Sequence, residues 1–426
     1  MTRTRRLAAT TFRSLRIRNF RLYFTGQLVS MTGTWMQAVA QGWLVLRLTH
    51  NSGSALGFVT ALQFLPVLLF GAWSGVLADR FDKRRLLLCT QSIMAVFAAL
   101  LAALTIGGVI NLWMVYVLAF LTGLANAFDN PARQAFVSEM VGAEDLTNAI
   151  SLNSAMFNGA RVVGPALAGL AISLVDVGPC FAFNAVSFVA VIGSLWYIRT
   201  DELERHEPVA RAKRQVREGI GYAWRTPELR RTLVIVGIVG TVAFNFNVLL
   251  PLLAKVVFHG TAGTYGLMSS AMGLGALIGA MVTASRVRPG EAWLLLSCIA
   301  FGVWMVATGL VPSLALALLM LVLMGAFMMA FMATANSSIQ LIAAPSMRGR
   351  VMALYALVFL GSTPIGGPLI GVLSQHFGPR FAFVLTGGIT IVTGAVAGLS
   401  SLRTWRARQP EVALVSAPLA LEPAAA

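Results

Sequence analysis

Twelve long apolar stretches follow one another along this chain, and they constrain its fold more than any other feature. Each covers about 21–30 residues, which as an α-helix crosses the roughly 30 Å hydrocarbon core of a bilayer. They lie near 22–48, 54–78, 86–108, 112–136, 147–174, 178–198, 231–257, 263–285, 291–311, 313–342, 351–375 and 379–401. Because 57% of the residues are apolar and 11% are charged, the pattern predicts an all-α integral membrane protein.

The basic residues are distributed unevenly between the two ends of these stretches. When the loops are placed by alternation, 28 of the 32 Lys and Arg fall on one side; Arg47, Lys255 and Arg380 fall on the other, and Arg161 lies within a span. Basic loops are typically cytoplasmic. We therefore expect both termini in the cytoplasm and anionic lipid headgroups as partners of the basic side. This explains the net charge of +16 without nucleic acid as a partner.

One long polar interval, residues 199–230, divides the chain into two halves. We expect a cytoplasmic N-terminal segment (1–21), an N-terminal six-helix bundle (22–198), a cytoplasmic linker (199–230) and a C-terminal six-helix bundle (231–402). The remaining residues, 403–426, are rich in Ala and Pro, and we expect a disordered cytoplasmic tail.

The two halves are related in sequence. Gly164-Pro165 in the fifth apolar stretch recurs as Gly367-Pro368 in the eleventh, 203 residues later. Ala127-Phe128 in the fourth stretch recurs at the same distance as Ala330-Phe331 in the tenth. This repetition predicts two pseudo-symmetric bundles, related about an axis normal to the membrane.

The connection between the second and third stretches reads Gly75-Val-Leu-Ala-Asp79-Arg80-Phe-Asp82-Lys83-Arg84-Arg85. It resembles the loop motif of major facilitator superfamily transporters, departing from it at Asp82, where a glycine is common. The resemblance implies a gating network that holds the cytoplasmic side shut in the outward-open state. Static anchoring of the helices to headgroups is the alternative. The implied network comprises Gly75, Asp79, Arg80, Arg84 and Arg85, with Asp129 and Arg133 near the inner end of the fourth stretch. We also expect Asp79 to gain from the dipole at the start of the third helix.

Three further segments resemble a narrower branch of this superfamily. Residues 30–37 with 43–46 in the first stretch, 128–137 in the fourth, and 148–152 with 161–169 in the fifth look like those of the enterobactin exporters and macrolide efflux proteins, and the resemblance extends over roughly residues 12–402. It implies a secondary active exporter of a bulky amphipathic or anionic small molecule, such as a siderophore, drug or antibiotic. We expect alternating access by a monomer in the bacterial inner membrane.

Polar and aromatic side chains near the middle of the stretches are candidates for a substrate cavity, since aromatic walls with a few hydrogen-bonding groups suit a bulky amphipathic ligand. For a single Gln or Asn, a hydrogen bond between helices is the competing interpretation. For Arg161, contact with an anionic substrate competes with a structural role, in which Asp129 or Asn158 is its partner. The candidates are Trp35, Gln37, Gln41, Gln63, Arg161, Phe244, Asn245, Asn336 and Gln340.

No Asp or Glu lies near the middle of any stretch, and Asp129 is the deepest acid. Proton antiporters normally need a titratable group within the membrane. A proton is the coupling ion that the family resemblance implies, and either Asp129 or an ionisable group of the substrate would carry it. Gly164, Pro165, Gly367 and Pro368 weaken the local backbone hydrogen bonds. They are predicted hinges about which residues 1–198 rock against 231–402.

Other classes of function find little support in the sequence. An ATP-driven exporter would need a phosphate-binding loop, and none occurs. The four histidines (His50, His206, His259, His376) and three cysteines have no ligand-like spacing, so we expect no metal, no cofactor and no enzymatic activity. Two alternatives stay open: a facilitator-type importer of a small metabolite, and a non-transporting membrane sensor of the same fold.

Overall fold

The computed structural model of the protein describes residues 12–204, 215–286 and 290–415, and the regular secondary structure of these ranges is helical throughout. The N-terminal half contains α1 (Arg18–Leu48), α2 (Gly53–Arg80), α3 (Lys83–Ile106), α4 (112–141), α5 (143–174) and α6 (Gly178–Trp196). The C-terminal half follows a short helix, α7 (Gln215–Arg225), and contains α8 (Pro227–Ala243), α9 (Phe246–Leu252), α10 (Ala262–Ala284), α11 (Glu291–Leu310), α12 (Leu314–Ile342), α13 (Arg348–Phe377) and α14 (Pro379–Val415).

Helices α4 and α5 form one continuous stretch, Leu112–Leu174, which a single residue divides. A straight helix of 63 residues would be about 95 Å long, three times the thickness of a bilayer core. At Gly142 the backbone leaves the helical region, with φ 65° and ψ 177°. Because a side chain at this φ would be strained, glycine suits the break. The stretch therefore contributes two spans.

The helices account for twelve membrane spans. Ten stretches in the described ranges are long and apolar enough to cross a membrane, and one of them is the stretch that Gly142 divides. Helix α1 adds the twelfth; its 31 residues are long enough, and three buried or half-buried glutamines (Gln27, Gln37, Gln41) make it more polar. The predicted all-α membrane fold, with two related six-helix bundles, is confirmed.

Side-chain caps mark where several helices begin. A polar side chain just before the helix accepts a hydrogen bond from a free backbone N–H of the first turn, which satisfies a donor that has no partner within the helix. The Oγ of Ser52 accepts from the N–H of Ala55 (3.2 Å) at the start of α2. The same arrangement occurs before α3, α4 and α12, through Asp82, Asn111 and Ser313. Each of these caps thus helps to fix the residue at which its span begins.

The seventh span is broken, whereas the sequence predicts one helix over 231–257. Helix α8 ends at Ala243, α9 begins at Phe246, and the span ends in a π-helical turn, Leu253–Val257. At the break, the Nδ2 of Asn245 donates to the carbonyl oxygen of Thr241 (2.7 Å). In a continuous helix that oxygen would accept from the Asn245 backbone N–H, so the side chain takes over this role.

Two seams join the halves, and we call the side opposite the α2–α3 loop the outer side. On the first seam, α2 packs on α13. The N–H of Gly53 donates to the Oε1 of Gln375 (2.6 Å) at the outer end, and a Cβ on Gly57 would lie only 2.5 Å from the carbonyl oxygen of Gly367. The seam continues to Leu68, just past the midpoint of α2. Glycines thus let the two backbones approach closely.

The second seam joins α5 to α10 and has the same construction. Gly169 packs against Gly263 near the outer end, and a Cβ on Gly273 would lie 3.0 Å from the carbonyl oxygen of Arg161 at mid-membrane. The Oγ of Ser270 donates to the carbonyl oxygen of Val162 (2.7 Å). Helix α12 packs on α8, α10, α11 and α13, all within its own half. The halves are therefore joined from their outer ends to the midplane.

The linker and the tail are described in part. Residues 200–202 form a 3₁₀ turn, α7 covers Gln215–Arg225, and residues 205–214 lie outside the described ranges. The last helix continues to Val415, so residues 403–415 are helical where the sequence predicts a disordered tail; residues 416–426 are not described. The division into domains at 22–198, 199–230 and 231–402 stays a prediction.

Candidate functional site

The α2–α3 loop is organised by Asp82, which the sequence singles out only as a departure from the family motif. The Oδ1 of Asp82 accepts a hydrogen bond from the N–H of Arg85 (2.9 Å) and so caps α3. Asp79 lies in the last turn of α2, so the expectation that it sits at the start of the third helix is wrong. Its side chain lies outside the described part of the structure. Arg84 binds α6 through the carbonyl oxygens of Leu195 (2.7 Å) and Trp196 (2.8 Å).

The ion pair that ties this loop to α4 is one that the sequence did not reveal. The Nζ of Lys83 lies 2.6 Å from the Oε1 of Glu139, and both side chains are largely buried. The predicted partner from α4, Asp129, makes its described contacts elsewhere. Glu139 lies beyond residue 136, where the apolar stretch ends, although the helix continues to residue 141. Gly75 and Arg80 lie in the last turns of α2, and the gating role of the motif stays a prediction.

Asp129 lies inside the N-terminal half, with 1% of its surface exposed. Its Oδ1 accepts hydrogen bonds from the Oγ1 of Thr90 (2.8 Å) and the Nε2 of Gln91 (2.8 Å), both on α3. Its Oδ2 faces the Nε of Arg133, one turn later on α4, at 3.5 Å. Arg133 also donates to the Oδ1 of Asn130. The pair is thus internal to the bundle, and its contacts with described side chains are made within α3 and α4 and with Met31 of α1.

Gln37, Gln41 and Gln63 line the same interior. All three border a cavity of about 70 Å³ between α1, α2, α3, α4 and α6, which also contacts Asp129. The Nδ2 of Asn184 on α6 donates to the Oε1 of Gln37 (2.7 Å). These predicted cavity residues therefore meet inside the N-terminal half.

Arg161 and Trp35 form a second site, on the face where α1 meets α5. The guanidinium carbon of Arg161 lies 5.6 Å from the centre of the Trp35 ring, a cation–π distance. Trp35 also makes an edge contact with Phe157, with ring centres 5.8 Å apart. Of the predicted protein partners of Arg161, Asp129 faces Arg133, while the Nδ2 of Asn158 donates to its own helix and its Oδ1 has no described partner. The Nε of Arg161 has no hydrogen-bond partner among the described residues.

Phe244 lies in an aromatic cluster within the C-terminal half. Its ring centre is 5.2 Å from that of Phe359, 5.6 Å from Phe301 and 6.2 Å from Phe246. Tyr355 stacks on Phe359 and extends the cluster. Phe301 is fully buried and Phe246 nearly so, so the cluster holds the seventh, ninth and eleventh spans together.

The remaining polar candidates of the C-terminal half have local roles. Asn245 is buried at the helix break described above, where it packs against Gly366. On α12, the Nε2 of Gln340 donates to the Oδ1 of Asn336 (2.6 Å), one turn earlier. The predicted cavity residues thus divide among three places: the N-terminal interior, the α1–α5 face and the C-terminal half.

Among the predicted hinge residues, Pro165, Gly367 and Pro368 lie on the seams, whereas Gly164 faces α1 within its own half. Gly164 packs against α1, since its missing Cβ would lie 2.5 Å from the Cβ of Trp35, and Gly367 packs against Gly57 and Thr60 of α2. Pro165 and Pro368 stand inside the continuous helices α5 and α13. The positions agree with the internal repeat, and hinge motion there stays a prediction.

A groove of about 610 Å³ opens between α2, α8 and α13. Its lining is largely apolar and includes Leu68, Val234, Ile238, Val358 and Ile365. The groove begins just past the midpoint of α2, on the side of the α2–α3 loop, at the inner end of the first seam. It offers an apolar surface between the two halves.

Comparison with known proteins decides the family. The chain matches the transmembrane secretion effector family over residues 9–422. The chain belongs to this family. The resemblance to major facilitator efflux transporters that the loop motif and the α1, α4 and α5 segments suggested is thereby confirmed.

Three relatives show the range of this group. The chain is 27% identical to the staphyloferrin A transporter of Staphylococcus aureus, over 61% of this chain and 65% of that protein. It is 24% identical to macrolide efflux protein A of Streptococcus pyogenes, over 88% and 94%. It is 29% identical to the multidrug efflux pump Tap of Mycolicibacterium fortuitum, over 87% and 92%. Membership of this group makes the chain a multi-pass membrane transporter.

The fold is shared with solved transporters. A bacterial homologue of the human lysosomal transporter Spinster, in an inward-facing and unoccupied conformation, superimposes with a TM-score of 0.71 at 15% identity, covering 90% of this chain and 97% of that one. At this level of identity the likeness concerns the fold alone.

Proposed function

We propose that this transporter exports a bulky amphipathic or anionic small molecule by alternating access, driven by the inward movement of protons. The observation that carries the proposal is the pair of glycine seams. They join the halves from the outer ends to the midplane, while α12 packs only on its own half. This arrangement fits an inward-facing state, ready to take up a molecule from the cytoplasmic side.

The Arg161 site supports the anionic part of the proposal. A guanidinium at mid-membrane is costly unless it meets a partner or a cavity, and the acid that the sequence suggested as its partner, Asp129, faces Arg133. The described contacts include no hydrogen bond between Arg161 and Asn158. Trp35 and Phe157 beside it supply aromatic surface. A flat, partly aromatic anion would bind such a site through both its charge and its rings.

The relatives support both proposed substrate classes. The staphyloferrin A transporter carries a siderophore by name, while macrolide efflux protein A and Tap are drug exporters by name. The apolar groove between α2, α8 and α13 would let an amphipathic substrate reach the protein from the lipid. We propose that the same alternating movement serves either class.

Rocking of residues 22–198 against 231–402 would open the outer side by separating the two seams. Pro165, Gly367 and Pro368 lie on these seams, with Gly164 beside them, and these residues would absorb the bending. We place the protein in the bacterial inner membrane as a monomer with both termini cytoplasmic, because the basic loops then face the anionic inner leaflet.

Efflux from cells that lack their own exporters tests the function. A catecholate siderophore and a macrolide are offered side by side, with and without a protonophore, to the wild type and to Arg161→Gln. We expect export that the protonophore stops, and we expect Arg161→Gln to abolish siderophore export while macrolide export persists. Arg47→Gln is the matched control, since Arg47 pairs with Asp176 at the outer surface.

Each other outcome has a definite meaning. Equal loss of both substrates in Arg161→Gln would make Arg161 structural. Uptake in place of export would indicate an importer. Binding without flux would indicate a sensor of the same fold.

A further inference from the structure

The cavity inside the N-terminal half is polar and large enough for water. Its volume of about 70 Å³ exceeds several-fold the space that one buried water needs. It extends along α1 from Ser30 to Gln41, a rise of about 16 Å for a helix. Carboxylate, amide and hydroxyl groups line it, among them Ser30, Gln37, Gln63, Asn126, Asp129 and Asn184.

Several buried polar atoms have no partner within the described protein, some in this cavity (Ser30, Gln91) and some on the preceding turns of α1 (Tyr23, Gln27). They are the Oη of Tyr23, both amide atoms of Gln27, the Oγ of Ser30 and the Oε1 of Gln91. Leaving such atoms unpaired costs about 1–3 kcal/mol each, so buried polar groups normally find a protein or water partner. This concentration of unpaired atoms around Asp129 indicates that the region is hydrated in the membrane.

The two oxygens of Asp129 are held differently. The Oδ1 accepts two short hydrogen bonds, from Thr90 and Gln91. The Oδ2 meets only the Nε of Arg133, at 3.5 Å, which is too long for a good hydrogen bond. The other guanidinium nitrogens of Arg133 turn away, toward Asn130 and the Sδ of Met31. The Oδ2 is therefore the oxygen that is free to take up a proton.

Asp129 is the one acid among the described residues that line this cavity. From α1, the phenol of Tyr23 lies within the electrostatic reach of both Asp129 and Arg133. From α3 come the neutral Thr90 and Gln91, and from α6 the neutral Asn184 and Phe188 line the same cavity. Arg133 supplies the positive charge. Protonation of Asp129 therefore converts a neutral acid–base pair into a net positive charge inside the bundle.

We propose that Asp129 is the proton-binding group of this transporter, and that protons reach it through the hydrated cavity within the N-terminal half. Proton and organic substrate then use separate places, because the Arg161–Trp35 site and the groove between the halves lie outside this cavity. Proton uptake would release Arg133 from Asp129, and the freed guanidinium would move toward the water of the cavity. The inference rests on the proposed proton-coupled export for its link to transport.

A readout that needs no substrate tests the proton site itself. Infrared difference spectra of the purified full-length protein across a pH step report the carbonyl stretch of a protonated carboxyl, which lies at higher frequency when the carboxyl is buried. We expect one such band in the wild type, its loss in Asp129→Asn and its shift in Asp129→Glu. Asp176→Asn, which removes an exposed outer acid, should leave the band in place. An unchanged band in Asp129→Asn would overturn the proposal.

Transport in liposomes tests the link to coupling, with a labelled macrolide as the probe. We expect Asp129→Asn to lose accumulation driven by a pH gradient while it keeps exchange of labelled for unlabelled macrolide across the membrane. Retained gradient-driven accumulation would overturn the inference and leave export standing. If the wild type shows no macrolide flux, the proposed export of macrolides is wrong. The infrared band still tests the proton site separately. If Asp129→Asn does not fold, the band shift in Asp129→Glu decides it.

Discussion

The interiors of the two halves differ, although the halves repeat one another in sequence. Inside the N-terminal half, Asp129 and Arg133 face each other beside a polar cavity. At the repeat distance of 203 residues, the corresponding positions of the C-terminal half are Met332 and Asn336. Met332 packs against the apolar core there. The two halves thus share their helices and the glycine seams, whereas the side chains inside the two bundles differ.

This difference suggests a division of labour under the proposed mechanism. The N-terminal half holds a charge pair and unpaired polar atoms, which suits a bound proton. The C-terminal half holds the aromatic cluster around Phe244, and none of its described buried residues is charged. The N-terminal half would then bind both the proton at Asp129 and an anionic substrate at Arg161, at separate places.

An acid placed at Met332 should have the largest effect. Met332 packs among apolar side chains, where an unpaired carboxylate costs several kcal/mol, a large part of the stability of a typical protein. We expect Met332→Asp to leave little folded protein in the membrane, measured by size-exclusion chromatography of a tagged chain, and Met332→Leu to accumulate normally. Normal accumulation of Met332→Asp would mean that the two interiors tolerate charge equally.

Truncation of Phe244 should come next. Its ring contacts those of Phe301 and Phe359, and removal of such a ring costs about 3–5 kcal/mol. We expect Phe244→Ala to lower the thermal unfolding temperature strongly, whereas Phe244→Leu, which keeps most of the volume, should lower it only slightly. Equal unfolding temperatures for the two variants would show that the cluster does not hold the C-terminal half together.

Loss of the Lys83–Glu139 pair should have an intermediate effect. With both side chains largely buried, removal of one partner costs about 2–5 kcal/mol, because the other charge stays behind. We expect Glu139→Gln to be less stable than the double variant Lys83→Met/Glu139→Gln in thermal unfolding. Transport that falls further than stability would favour a gating role, whereas a parallel decrease of both would favour static anchoring.

The smallest effect should follow from Gln37→Leu. It removes one hydrogen bond between α1 and α6, and such bonds average about 0.6 kcal/mol within membranes. Gln340→Leu, which breaks an exposed bond within α12, is the matched change in the other half. We expect a small decrease in unfolding temperature for the first variant and none for the second. A larger decrease for Gln340→Leu would reverse the comparison.

The number and order of the spans follow from the sequence because lipid leaves few choices: an apolar stretch of this length must form a helix across the bilayer. The ends of the helices are predicted less accurately from the sequence. The apolar stretch of the fourth span ends at residue 136, yet α4 continues past Glu139, since hydropathy reports contact with lipid and not where backbone hydrogen bonding ends. The loop pair with Lys83 was missed for this reason. Capping by Asp82 could have been found, as an Asp just before a basic helix start is a typical cap.

The sequence predicted which residues are candidates for the cavity, but not which of them lie next to one another. Gln37 and Arg161 are both polar groups at mid-membrane in the sequence, yet one faces α6 and the other contacts Trp35. Which neighbour each side chain meets depends on how α1 and α5 are rotated against their partners. The sequence alone does not determine this rotation. It therefore did not show that the Asp129–Arg133 pair, the Phe244 cluster and the Arg161 site lie in different places instead of one shared cavity.

The glycine seams also bear on how the surrounding membrane acts on this protein. The seam contacts described above lie between the outer ends and the midplane. In the proposed inward-facing state we therefore expect the protein to occupy less area in the outer leaflet than in the inner one, and an outward-facing state would reverse this difference. Under the proposed alternating access, curvature stress in the bilayer would act on the exchange between the two states, and we expect lipids with small headgroups to shift its balance without contacting a binding site.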